Sequence, residues 1–191
     1  MQPITGLLVI DMQLCAFDGQ ITSPICQGDK LLTTVAELIS NCREQGLPVI
    51  FIQTCALSGQ PYSKDSHGWE IHANLGKKPD DKVVYKVQSN AFEDTDLQDV
   101  LSELGISKLI TCGIWSEFCV ASTSLAALSL TYEVYVAADA HGTVAGSDTE
   151  AMHTVATQNE LLASKGAHVA VMSELSILFD GGEMTSHITP R

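Results

Sequence analysis

The stretch Thr111-Cys112-Gly113-Ile114-Trp115-Ser116-Glu117-Phe118-Cys119-Val120 decides how the rest of the chain is read. The apolar run from Lys108 to Cys112 reads as a buried strand, and Gly113 is expected to break it. Ser116 then offers a helix N-cap, and the apolar residues from Val120 onward continue as a helix. This places Cys119 in the first helical turn, where unpaired N–H groups and the positive end of the helix dipole favour a thiolate. A cysteine at the tip of a strand–turn–helix is well placed for a nucleophile.

Upstream, Gly6-Leu7-Leu8-Val9-Ile10 is a strand buried on both faces that ends in Asp11. Residues 12–27 read as loop, and a helix capped by Asp29 runs through Leu31, Leu32, Val35, Leu38, Ile39 and Cys42 to Gly46. Val49-Ile50-Phe51-Ile52 is the second strand. Residues 54–80 are irregular, and a loop of that length in a compact domain is often functional. Lys82-Val83-Val84-Tyr85 is a short strand ending in Lys86. Thr95-Asp96-Leu97-Gln98 has capping-box spacing, before a helix that Gly105 ends.

Downstream, the helix after Cys119 is apolar nearly all round and so largely buried. The strand Glu133–Ala138 ends in Asp139. A second capping box, Ser147 to Glu150, opens a helix closed by Lys165-Gly166, and Ala167–Val171 is the last strand. Strands that alternate with helices pair in parallel through right-handed crossovers. The expectation is one domain over residues 1–180, a three-layer α/β/α sandwich on a six-stranded parallel sheet, with a polar tail over 181–191.

The 191 residues suffice for a substantial core, and 45% apolar with 17% charged residues is ordinary for a globular domain. A net charge of −13 argues against nucleic acid and anionic membranes as partners. No basic n-region precedes a long apolar run at the N-terminus, so a cytoplasmic location with reduced thiols is expected. The six cysteines show no C-x-x-C spacing. His67 and His72 read as surface or hydrogen-bonded residues; no metal and no cofactor are expected.

Asp11, Lys86 and Cys119 all follow strands, and a parallel sheet gathers such ends on one edge. There Asp11 is placed to accept the thiol proton, and Lys86 to stabilise the thiolate and hold Asp11 ionised. Backbone N–H groups at the turn are placed to receive an oxyanion.

Several pieces carry a resemblance in their order and spacing: Leu8-Val9-Ile10-Asp11-Met12-Gln13, Trp69-Glu70-Ile71-His72, Val84-Tyr85-Lys86 with Ser89-Asn90-Ala91-Phe92, Thr95-Asp96-Leu97, Gly113 to Val120, and Ala138-Asp139-Ala140. From about Thr5 to Val171 the chain resembles the isochorismatase-like cysteine hydrolase superfamily, in its nicotinamidase-related branch. The resemblance implies a triad of Asp11, Lys86 and Cys119. It also implies a cis peptide at Ile114–Trp115, with the N–H groups of Trp115 and Cys119 aimed at the oxyanion. The reaction implied is hydrolysis of a small amide-like substrate through a thioester, by a homodimer or homotetramer. Metal-dependent nicotinamidases carry an Asp-x-His where this chain has Gln53-Thr54-Cys55-Ala56, so that chemistry is not expected. Gln13, Phe17, Trp69 and Phe92 are candidates to bind the substrate, with Trp115 beside them in an aromatic pocket.

Other readings are a vinyl ether hydrolase of the isochorismatase type, which does not need the cysteine, and a non-catalytic binding protein on the same fold. A nucleotide-binding protein is disfavoured, because the turn after the first strand lacks G-x-G-x-x-G. A redox pair of Cys112 and Cys119 would need the two sulfurs to meet.

Overall fold

The apolar runs build one all-parallel sheet in a computed structural model that describes residues 4–19 and 23–179. Its strands are β1 (Ile4–Ile10), β2 (Val49–Thr54), β3 (Lys82–Lys86), β4 (Ile106–Ile114), β5 (Glu133–Gly142) and β6 (His168–Ala170). They lie in the order β3-β2-β1-β4-β5-β6. Helices α1 (Gly28–Glu44), α2 (Leu97–Glu103), α3 (Ala121–Ser129) and α4 (Asp148–Ser164) fill the connections, and α5 (Met172–Phe179) follows β6.

Alternation along β1 divides the core into two layers. Leu7 and Val9 pack with Leu31, Val35, Leu38 and Ile39 of α1 and with Leu175 of α5. Leu8 and Ile10 pack with Leu97 and Leu101 of α2, Ala127 of α3 and Leu162 of α4. A strand covered on both faces has no polar side, which is why β1 reads as an unbroken apolar run. The three-layer sandwich and six parallel strands expected from sequence are present. β1 connects outward through α1 to β2, and the chain returns from β3 to β4 on the other side of β1. Ligand crevices in open α/β sheets lie at such a reversal, outside the carboxyl ends of the strands.

The structure differs from the expectation at several element ends. β4 does not stop at Cys112 but runs through Gly113 to Ile114. Gly113 has φ 114°, and a Cβ there would lie 2.1 Å from the carbonyl oxygen of Ile10, its partner in register on β1. Glycine therefore permits the close approach of the two strands rather than ending one of them. β5 likewise continues past Asp139 to pair His141 with Gly113 and Gly142 with Ile114.

Helix α1 starts at Gly28 behind a left-handed Gln27, so Asp29 is not its cap but lies in the first turn, near the positive end of the dipole. At α2 the N-cap residue Asp96 makes no side-chain capping bond. Instead the Thr95 hydroxyl accepts from Leu97 N at 3.2 Å and donates to the Ala91 carbonyl at 2.5 Å. Ser147 does cap α4, accepting from Glu150 N at 3.3 Å. Helix α5 was not anticipated; the Asp139 carboxylate accepts from its first amide, Met172 N, at 2.8 Å. The tail over 181–191 lies outside the described residues. Among the described residues no helix is long and apolar enough to cross a membrane.

Candidate active site

Three strand ends meet at the crevice between β1 and β4. Asp11 follows β1 with φ 53°, a left-handed turn that Asp tolerates better than most residues. Lys86 is the last residue of β3, and its ammonium reaches Asp11 Oδ2 at 2.7 Å and Cys119 Sγ at 3.2 Å. It also donates to the Thr54 hydroxyl at 2.8 Å and to the Gln88 carbonyl at 3.1 Å. Thr54 in turn donates to Asp11 Oδ1 at 2.9 Å. Asp11, Lys86 and Cys119 are all buried. Thr54 pairs with Lys86 across β2 and β3, so sheet register delivers it to the site.

The electrostatics favour a resting thiol. Burial pushes the Cys119 thiol up to about 12, the Asp11 carboxylate adds to that rise, and the Lys86 ammonium only partly opposes it. This differs from the sequence reading, in which a helix end favours a thiolate at rest: desolvation and the neighbouring Asp11 carboxylate raise the thiol. For Lys86, burial disfavours the ammonium, but Asp11 and Cys119 beside it raise its affinity for the proton above the ordinary value. The constellation at rest is carboxylate, ammonium and neutral thiol, with a proton to be removed before the sulfur can attack.

Cys119 also sits in a turn that sequence did not specify. Ser116–Val120 is a π-helical turn leading directly into α3. Such turns are rare and occur often at functional sites. The peptide Ile114–Trp115 just before it is cis. Ser116 is not an N-cap: Trp115 holds that position, and the Ser116 side chain makes no cap bond. Its hydroxyl lies 2.8 Å from His141 Nδ1, whose Nε2 is 2.9 Å from Asn159 Oδ1. Asn159 Nδ2 donates to the Ala138 carbonyl at 3.1 Å, which turns its oxygen toward the ring. His141 therefore carries its proton on Nε2 and accepts from Ser116 at Nδ1. This chain braces the cysteine turn from behind, against β5 and α4.

A cavity of about 240 Å³ opens on the triad, lined by Asp11, Thr54, Tyr62, Lys86, Val87, Gln88, Ser89, Trp115, Phe118 and Cys119. Trp115 and Cys119, expected at the oxyanion position, both line it, and Ile114 is buried behind them. The four residues expected to bind substrate are absent from this lining. Gln13 is buried and ties two backbones together, bonding Thr54 through its amide nitrogen (3.0 Å) and oxygen (2.9 Å) and donating to the Trp69 carbonyl at 2.8 Å. Phe17 packs edge-on against His72 at 5.3 Å. Trp69 stacks on Tyr85 at 5.8 Å, and Phe92 lies against Tyr132 at 5.8 Å.

Sequence reasoning missed Thr54, Tyr62, Val87, Gln88, Ser89 and Phe118. His72 does serve as a hydrogen-bonded residue, accepting from Asn74 N at 3.3 Å. The redox reading fails on geometry: Cys112 belongs to the core layer on the α1 side of the sheet and Cys119 to the layer on the other side.

Comparison with known proteins agrees with this architecture. The chain is 30% identical over all 191 of its residues to a streptothricin hydrolase of Streptomyces noursei, covering 74% of that protein. It is 26% identical to the ureidoacrylate amidohydrolase of Pseudomonas syringae pv. syringae, over 71% of this chain and 69% of that one. The crystal structure of an isochorismatase-type protein from Burkholderia xenovorans superposes with a TM-score of 0.85 at 28% identity, covering 97% of this chain and 92% of the other. The isochorismatase domain model matches residues 5–170. The chain belongs to the isochorismatase family of hydrolases.

Proposed function

We propose that this hydrolase cleaves a small amide-like C–N bond through a thioester on Cys119. The observation that carries the reading is the single ammonium, Lys86, within 2.7 Å of Asp11 Oδ2 and 3.2 Å of Cys119 Sγ at the floor of an open cavity. The amidohydrolase activity named for one relative supports the same class of reaction.

Asp11 takes the thiol proton as the sulfur attacks the carbonyl carbon. Lys86 stabilises the sulfur anion as it forms and fixes the carboxylate. Backbone N–H groups of Trp115 and Cys119 receive the tetrahedral oxyanion, a contribution worth roughly 2.7–4 kcal/mol per donor in comparable sites. Asp11 returns the proton to the departing nitrogen, and the C–N bond breaks to leave the thioester. A water, deprotonated by Asp11, then attacks the acyl carbon; the acid is released and the sulfur recovers its proton. The sum is amide plus water giving acid plus amine.

An oligomer completes the reading. Val87 and Phe118 at the cavity mouth are 76% and 57% exposed, and a second copy of the chain would cover apolar surface there. Light scattering on the purified protein reports that state directly.

The test of the activity is a panel of primary amides, carbamoyl compounds and lactams, assayed for released ammonia or amine. Turnover of one or more by the wild type, abolished by Cys119→Ala, supports the reading. Turnover that survives in Cys119→Ala contradicts it.

A further inference from the structure

We propose that the catalytic cavity accepts only substrates that carry no anionic group, taking uncharged or cationic amides and excluding carboxylates. The proposal rests on the reading of Cys119 as nucleophile and names the charge class of its substrate.

Lys86 is the one basic residue among the described residues that line the cavity. Its ammonium has three protons and already faces four partners: Asp11, Thr54, Gln88 and Cys119. It has no donor left for a substrate carboxylate. Its charge is balanced by Asp11, so carboxylate, ammonium and neutral thiol sum to zero. The Trp115 and Cys119 N–H groups are committed to the carbonyl oxygen of the reacting amide, so a separate anionic group entering this cavity would lose its water without gaining a counter-ion.

The remaining lining points the same way. Its other polar side chains, Thr54, Tyr62, Gln88 and Ser89, are all uncharged. The Tyr62 hydroxyl is buried with no partner of good hydrogen-bond geometry, although the Cys15 thiol lies close to it. Trp115 and Phe118 offer aromatic faces, which attract ammonium groups and not carboxylates. The net charge of −13 adds a long-range field of the same sign.

Methanethiosulfonate reagents test this without knowledge of the substrate. Three reagents of similar size carry a trimethylammonium, no charge, or a sulfonate, and each transfers its thioalkyl group to a thiolate with release of methanesulfinate. Rates at Cys119 are read by peptide mass spectrometry. They are normalised to the same reagents on N-acetylcysteinamide and compared with Cys26, which is partly exposed on another part of the molecule. Measurement in 1 M salt, where the Debye length is about 3 Å, removes the long-range field and leaves the local one.

The expected result is sulfonate modification of Cys119 slower than the uncharged reagent by about tenfold or more, a preference that persists in 1 M salt and is absent at Cys26. Gln88→Lys places a cation at the mouth and should speed the sulfonate reagent selectively. A normalised sulfonate rate equal to or above the uncharged one overturns the charge assignment and leaves the nucleophile reading intact. Cys119 left unmodified by all three reagents even at pH 10, where its thiolate fraction has risen, overturns the open, reactive cysteine on which the proposal rests.

Discussion

Gly113 and Ile10 lie side by side so closely that a Cβ on the glycine would meet the Ile10 carbonyl oxygen at 2.1 Å. This contact locks the carboxyl ends of β1 and β4 together, and each chain leaves that point carrying a catalytic candidate: Asp11 one residue after Ile10, and Cys119 at the end of the turn that follows Ile114. Gly113→Ala would have to separate the strands and hold an alanine at φ 114°. We expect a loss of at least about 3 kcal/mol in stability, read as a lower urea midpoint, with activity lost alongside.

The buried ion pair makes a prediction in which stability and activity separate. Lys86→Met leaves the Asp11 carboxylate without its ion partner and should cost about 3–5 kcal/mol. Asp11→Asn on top of Lys86→Met removes the stranded charge, and stability should recover by a large part of that loss. Neither protein should turn over an amide. Urea denaturation of the two single variants and the double variant measures the coupling.

Much of this arrangement is legible in the sequence. Asp11 and Lys86 stand out because strands covered on both faces are unbroken apolar runs, and a charge that ends such a run marks the sheet edge. Cys119 stands out because a strand, a break and an apolar helix bracket it. What was not legible depends on contacts between distant segments. Gly113 is locally a breaker, and only the approach of Ile10 makes it part of a strand. Ser116 has the chemistry of a cap, but His141 claims its hydroxyl. Tyr62 comes from the 54–80 segment, which has no periodicity to fix where a side chain points. Phe17, Trp69 and Phe92 are near the site along the chain, and the loop path turns them against His72, Tyr85 and Tyr132 instead.

Alkylation of Cys119 by iodoacetamide should keep rising with pH. With the thiol pushed up to about 12, its thiolate fraction climbs about tenfold per pH unit through pH 10, without the plateau an ordinary cysteine shows above its usual pKa. Lys86→Met removes the ammonium that holds the thiol down, so the rate at a given pH should fall. A plateau near pH 8.5 contradicts the resting thiol.

His141 gives the fold a pH dependence of known sign. Burial lowers its proton affinity below the ordinary value near 6.5, so below that pH the unfolded chain binds a proton that the folded chain refuses. Its contribution to stability is fully present above pH 6.5 and is lost as pH falls, by up to about 1.4 kcal/mol per pH unit. Two-dimensional NMR of the imidazoles should show His141 neutral, with its proton on Nε2, at a pH where exposed histidines have titrated. Ser116→Ala should leave that tautomer in place and loosen the cysteine turn, which lowers kcat more than it raises KM.

The most direct measurement is the covalent state of the enzyme during turnover. A reaction with an amide substrate is quenched in acid within the first turnover and digested, and the acyl group is located by mass spectrometry. The account predicts one acyl group, on Cys119, accumulating before the acid product and absent from Cys119→Ala. An acyl group on any other residue, or product formed with no acyl-enzyme at any time, contradicts it.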